Sequence, residues 1–126
     1  MVFQDEALEA AAGRVYGAAL AVAESADAAL EVSRLVLEPA LRRSARSCAE
    51  PDGDDLVAQA LLLAVSRWPA APYAAMAQEE REVAVLARPG GLAVPAIACT
   101  LGLPDATVKA RMRGALRALA RAGALS

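Results

Sequence analysis

The stretch GLAVPAIACTLGLPDATVKARMRGALRAL, residues 91–119, decides how this chain folds. Its first part is short and apolar, and the spacing predicts a helix over 94–101 that buries Ile97, Ala98 and Leu101. Pro95 falls in the first turn, where there is no intrahelical hydrogen bond to lose. Gly102 supplies the positive φ that closes such a helix, and Leu103 fills the angle to the next one. A longer pattern then runs from 105 to about 122, with Pro104 at its start. Val108, Met112, Ala115, Leu116 and Leu119 recur at i, i+4, i+7, i+8 and i+11, which predicts one apolar face. That phase turns Asp105, Ala106, Lys109, Ala110, Arg113 and Arg117 outward. A packing helix, a tight turn and a second helix presenting cations form the layout of a helix-turn-helix. The N-terminal part of a recognition helix is the part that reaches base edges, so Lys109 and Arg113 are the base-edge candidates. Arg111, Arg117 and Arg121 are better placed for phosphates or for the helix's own C-terminal dipole.

Upstream of this unit the chain also reads as helices. Leu8, Ala12, Val15, Ala19 and Val22, with Ala11 and Ala18, give helical spacing over 5–23. Ser25 is placed to cap a second helix over 26–46, with Asp27 in its first turn. Leu30, Leu35, Val36, Leu37 and Leu41 are its expected apolar positions, and Pro39 predicts a kink or a break. Residues 44–55, rich in Ser, Pro, Gly and acids, read as a loop. Asp54 is the expected cap of a third helix over 55–68, whose broad apolar face ends at Trp68 and Pro69. Residues 70–72 are a linker candidate. Glu79, Glu80, Arg81 and Glu82 then open a fourth helix that buries Val83, Val85, Leu86 and Ala87 and stops at Pro89-Gly90-Gly91. The expected class is all-α: a small helical bundle over 1–69, a linker at 70–72, and a helix-turn-helix unit over 73–126.

Composition agrees. Apolar residues make up 57% of the 126 positions and aromatics only 3%. Ala-rich sequence favours closely packed helices over a sheet. No apolar run approaches the roughly 18 residues that a membrane span needs. The acidic start at Gln4, Asp5 and Glu6 is unlike a signal peptide, so a cytoplasmic protein is expected. Cys48 and Cys99 are isolated and there is no His, which leaves no ordinary zinc ligand set and favours two reduced thiols. Asp52, Asp54 and Asp55 lack the spaced ligands of a calcium loop and read as a solvated, helix-capping turn. No cofactor, metal or catalytic constellation is expected.

The net charge of −2 conceals an asymmetry. Residues 105–126 carry one acid and five bases, a local +4, whereas residues 1–104 carry fourteen acids and eight arginines, −6. An anionic partner should therefore meet the C-terminal end alone, in a salt-sensitive way.

Gly91-Leu92, Ala96-Ile97-Ala98, Leu101-Gly102 and Thr107-Val108-Lys109 with Arg111, Arg113 and Leu116 resemble region 4 of the extracytoplasmic-function (ECF) sigma factors. That family reads roughly G-L-S-x-x-E-I-A-x-x-L-G-x-P-x-x-T-V-K-S-R-L-x-R-A-x-x-x-L. Glu80-Arg81-Glu82-Val83 resembles its approach helix, so the likeness covers about 45 residues. More faintly, Arg14-Val15-Tyr16 and Ala26-Asp27-Ala28 resemble region 2. The family's acids there become Ala29, Leu30 and Arg34, and its aromatics become Val36 and Ala40. In region 4, Ala93, Ala96 and Ala110 replace polar family residues.

The resemblance implies double-stranded DNA as a partner, with Thr107, Lys109, Arg111, Arg113 and Arg117 as contact residues. It also implies RNA polymerase core or an anti-sigma-type protein as protein partners. Capture of a melted strand needs stacking platforms in a positive groove, and residues 44–72 offer one Trp and an acidic loop. The function expected is therefore a sigma-like DNA-binding regulator, not an enzyme, that does not melt promoters itself. The alternative is an interaction module that binds polymerase, an anti-sigma-type partner or a second copy, with Ala106 and Ala110 offering a small apolar surface.

Overall fold

The structure, a computed structural model, describes residues 2–47 and 52–123. Six α-helices and one 3-10 turn account for most of them, with no strand among the described residues. The helices are α1 (Val2–Ala23), α2 (Ala26–Ser47), α3 (Gly53–Arg67), α4 (Gln78–Ala87), α5 (Val94–Leu101) and α6 (Asp105–Arg121), with the 3-10 turn at Tyr73–Ala75 before α4. The all-α class and the small helical bundle are as expected. Cys48 lies outside the described residues.

α1, α2 and α3 pack mutually, α4 sits on α3, and α6 packs on α4 with α5 beside both. One cluster of buried side chains runs from Ala11 in α1 to Val108 in α6, through Val15, Val32, Leu61, Val83, Leu86 and Ile97. Segments 1–69 and 73–126 meet through this cluster. Residues 70–72 lie beside the end of α1, where the Ala70 N–H donates to the Val22 carbonyl at 3.2 Å. Tyr73 and Trp68 are half-buried against the same core.

Several sequence expectations need correction. α2 buries Ala28, Ala29, Val32, Val36 and Ala40, whereas Leu30 is 60% and Leu41 53% exposed. Small side chains win the interior because α1 and α3 both press on this helix, and Ala and Val permit the close approach that Leu would block. α2 continues through Pro39 instead of breaking there. The loop expected over 44–55 is shorter, because α2 runs to Ser47 and α3 begins at Gly53. The cap of α3 is Asp52, not Asp54. Its Oδ1 accepts from the backbone N–H groups of Asp54 at 3.0 Å and Asp55 at 3.4 Å. Asp52 holds the extended backbone, φ −78° and ψ 107°, that an N-cap requires, while Asp54 is already helical. Asp54 instead pairs with Arg14 at 2.7 Å, and Asp55 accepts from Gln59. The acidic turn is thus a cap with solvated neighbours, and Ser25 Oγ caps α2 as expected, accepting from Ala28 N–H at 3.3 Å.

Candidate nucleic-acid interface

The candidate interface is built on α6, and two linkages fix its position. The first is the turn from α5. Gly102 adopts φ 67°, ψ 38°, and the Leu103 N–H donates back to the Ala98 carbonyl at 2.9 Å. This six-to-one bond around a left-handed glycine is the Schellman closure, and Leu103 packs on the core beside it. The second is the seat of α4, where Arg81 turns back on the 3-10 turn. Its Nε donates to the Met76 carbonyl at 2.8 Å and its Nη2 to the Ala74 carbonyl at 3.2 Å. Arg81 therefore ties the chain entering α4 to α4 itself, a role its place among acids in the sequence does not reveal.

α6 is anchored by Val108 and Ala115, both essentially inaccessible, with Met112, Ala118 and Leu119 half-buried. At 100° per residue these five positions share one side of the helix. The opposite side carries Lys109, Arg113, Arg117 and Arg121, all exposed. Steps of four residues advance about 6 Å along the axis, so the four cations form a stripe about 18 Å long that drifts slowly around the helix. None of them is held in an ion pair among the described residues. Two arginines of the bundle behave differently: Arg14 pairs with Asp54, and Arg34 with Glu31 and Glu38.

The sequence-predicted contact residues divide on this geometry. Lys109, Arg113 and Arg117 share the exposed stripe. Thr107 and Arg111 are half-buried and lie about 160° and 200° around from Lys109, so they sit across the helix from it and do not join the stripe. Asp105, Ala106 and Ala110 are exposed as expected. Leu116, expected inside, is 46% exposed and lies about 20° around the helix from Lys109, at the edge of the stripe. The sequence offered a signal for this: Leu116 lies at the margin of the apolar face, adjacent in phase to Lys109.

No family model, curated protein or solved structure matches the chain. The interface therefore rests on its own electrostatics and shape. Beside α5 the surface changes sign. An open cleft there is lined by Asp52, Asp54 and Asp55 on one side and by Ala96, Cys99 and Thr100 on the other. Cys99 is an exposed free thiol. By charge the α6 stripe attracts a polyanion and the acidic cleft repels one. Among the described residues no cluster of three metal-ligating side chains occurs, and no helix is long and apolar enough to cross a membrane.

Proposed function

We propose that this chain binds duplex DNA through α6 as a sigma-like transcriptional regulator that leaves strand separation to other proteins. The observation that carries the reading is the exposed stripe Lys109, Arg113, Arg117 and Arg121, without ion pairs among the described residues, on a helix that follows a glycine-closed turn. Carboxylates of the same chain would otherwise neutralise such a row. Lys109 and Arg113 occupy the N-terminal half and serve as the base-edge contacts, while Arg117 and Arg121 hold phosphates. The exposed Ala106 and Ala110 offer the bases only methyl contacts, so affinity is mostly electrostatic and sequence readout is weak.

The test is anisotropy with a labelled random duplex across a salt series. On a random duplex no base edge is selected and all four cations rest on phosphates; four such contacts give a log–log salt slope of about −3.6, so affinity falls about 150-fold between 50 and 200 mM salt. Lys109→Ala with Arg113→Ala leaves two contacts, a slope of about −1.8 and a fall of about 12-fold. No binding at 50 mM salt, or a slope that the double variant leaves unchanged, defeats the reading.

Leu116 favours a second reading, in which the same face docks a protein. An exposed leucine among arginines suits a helical groove on RNA polymerase core or an anti-sigma-type partner better than it suits phosphates. Leu116→Ser separates the two: it weakens retention on purified core polymerase if the face is a protein contact and leaves the DNA salt slope intact.

A further inference from the structure

The outer face of α2 carries, on one line, the two most exposed leucines among the described residues. Leu30 and Leu41 are 60% and 53% exposed, and Leu37 between them is half-buried. At 100° per residue Leu37 lies 20° to one side of Leu30 and Leu41 20° to the other, so the three form a straight seam about 16 Å long. The spacing of seven, then four, is that of a helix–helix seam, with Arg34 in the remaining position. The interior of the bundle does not need these leucines, since Ala28, Ala29, Val32, Val36 and Ala40 already fill the opposite side.

We propose that α2 is the self-association surface of this protein, pairing antiparallel with α2 of a second copy about a two-fold axis near residues 35 and 36. Charge complementarity selects both the occupant and the direction. One flank of the seam reads Asp27, Glu31, Arg34, Glu38, Arg42. Aligned antiparallel with Leu30 opposite the second copy's Leu41, Arg34 comes within one residue of the second copy's Glu38. Arg42 then falls between the second copy's Asp27 and Glu31. These contacts join opposite charges and each occurs twice by symmetry, against one like-charge approach, Glu31 to the second copy's Glu38, two residues out of register. A parallel two-fold pair would set this charged flank against the opposite one, where Ala26 and Ser33 offer no charge. Within one chain Arg34 already reaches both Glu31 at 2.6 Å and Glu38 at 3.6 Å, so its guanidinium is held on this flank, beside the seam. A stable interface buries roughly 800 Å² per partner. Three leucines and the stems beside them cover part of that, so the pair forms in a concentration-dependent way.

The experiment is sedimentation velocity of the full chain from 10 to 500 µM at low salt, with helicity followed by circular dichroism. The weight-average mass is expected to climb from 12.9 kDa towards twice that value, and to fall back when salt is raised. Leu30→Glu with Leu41→Glu should stay monomeric throughout with unchanged helicity. Arg34→Glu alone should weaken the dimer, and adding Glu38→Arg should restore it, because the pairing is reversed and not removed. Leu116→Glu should have no effect on mass. A wild-type chain that remains monomeric at 500 µM overturns the proposal. So does a dimer that survives the Leu30 and Leu41 substitutions, or one that Leu116→Glu abolishes. None of these results bears on DNA binding by α6, which is read separately from the salt slope.

Discussion

Adding one methyl group at Gly90 should be among the most damaging single changes to this protein. A β-carbon there would clash with the Leu86 carbonyl oxygen and sit 2.9 Å from its carbon and 3.0 Å from Leu61 Cδ1. The first two atoms are backbone in the last turn of α4, so no side chain can swing away. Relief requires the segment to lift by about 1 Å, since ordinary contact distances begin near 3.5 Å. Three hydrogen bonds close that segment: Gly90 N–H to Val85, Gly91 N–H to Ala87 and Leu92 N–H to Leu86, all 2.9–3.0 Å. Losing two of them costs about 2 kcal/mol. Residual overpacking adds about 1–3 kcal/mol, and the stiffer unfolded chain costs a further 0.5 kcal/mol or so less than glycine would, which offsets part of the total. The net expectation is a loss of about 3 kcal/mol. For 126 residues the unfolding entropy is about 0.26 kcal/mol/K, so Tm should drop by about 11 °C. Circular dichroism at 222 nm and Trp68 fluorescence report the transition. Gly13→Ala is the internal control: its β-carbon would meet nothing within 4 Å on an exposed turn of α1, and it should stabilise by about 0.5–1 kcal/mol. A Gly90→Ala protein that melts within 3 °C of wild type would refute the steric account of how α4 hands over to α5.

Two further predictions test local chemistry. Asp52→Ala should cost about 1 kcal/mol by uncapping α3. Asp54→Ala should cost less than half of that, because its pair with Arg14 is exposed; urea titration of both variants decides between the two aspartates. Burial, and secondarily the charge of Glu24, raise the Tyr73 hydroxyl above its ordinary pKa of 10.0. A raised folded-state value means that the contribution of Tyr73 to stability is intact below pH 10 and is lost as pH rises through the folded pKa. Tyr73→Phe should flatten that alkaline decline, and parallel losses in the two proteins between pH 9 and 12 would exclude it.

The handover from α5 to α6 was legible in the sequence because each of its signals is local. Gly102 must take positive φ, Leu103 must find an apolar seat, and Val108 must face in; all three are satisfied by a few neighbouring residues. The phase of α2 was not legible, because leucine content points one way and the geometry of three crowded helices points the other. An interior built from alanine and valine is decided by how closely helices approach, which spacing along one helix does not encode. The cap of α3 was ambiguous for a different reason. Three aspartates within four residues can all accept from backbone donors, and only the observed φ and ψ show that Asp52 stands outside the helix. Within the candidate interface, the outward positions of Lys109, Arg113 and Arg117 followed from the 3.6-residue period. Leu116, on the boundary of that face, did not.

The two anchors of α6 are unequal. Val108 belongs to the main core, whereas Ala115 belongs to a separate small cluster in which only Met76 and Ala84 are also fully buried, and half-buried Tyr73 borders both. Few apolar contacts mean a low free energy of local opening. Amide exchange along α6 should therefore quicken from its first turns towards its last, giving a helix that is stiff where Lys109 projects and pliable where Arg117 and Arg121 project. For the DNA contact proposed above this would divide the labour by rigidity: the stiff end would lose little motional entropy on registering with a fixed feature, and the pliable end would follow a backbone whose path varies from site to site.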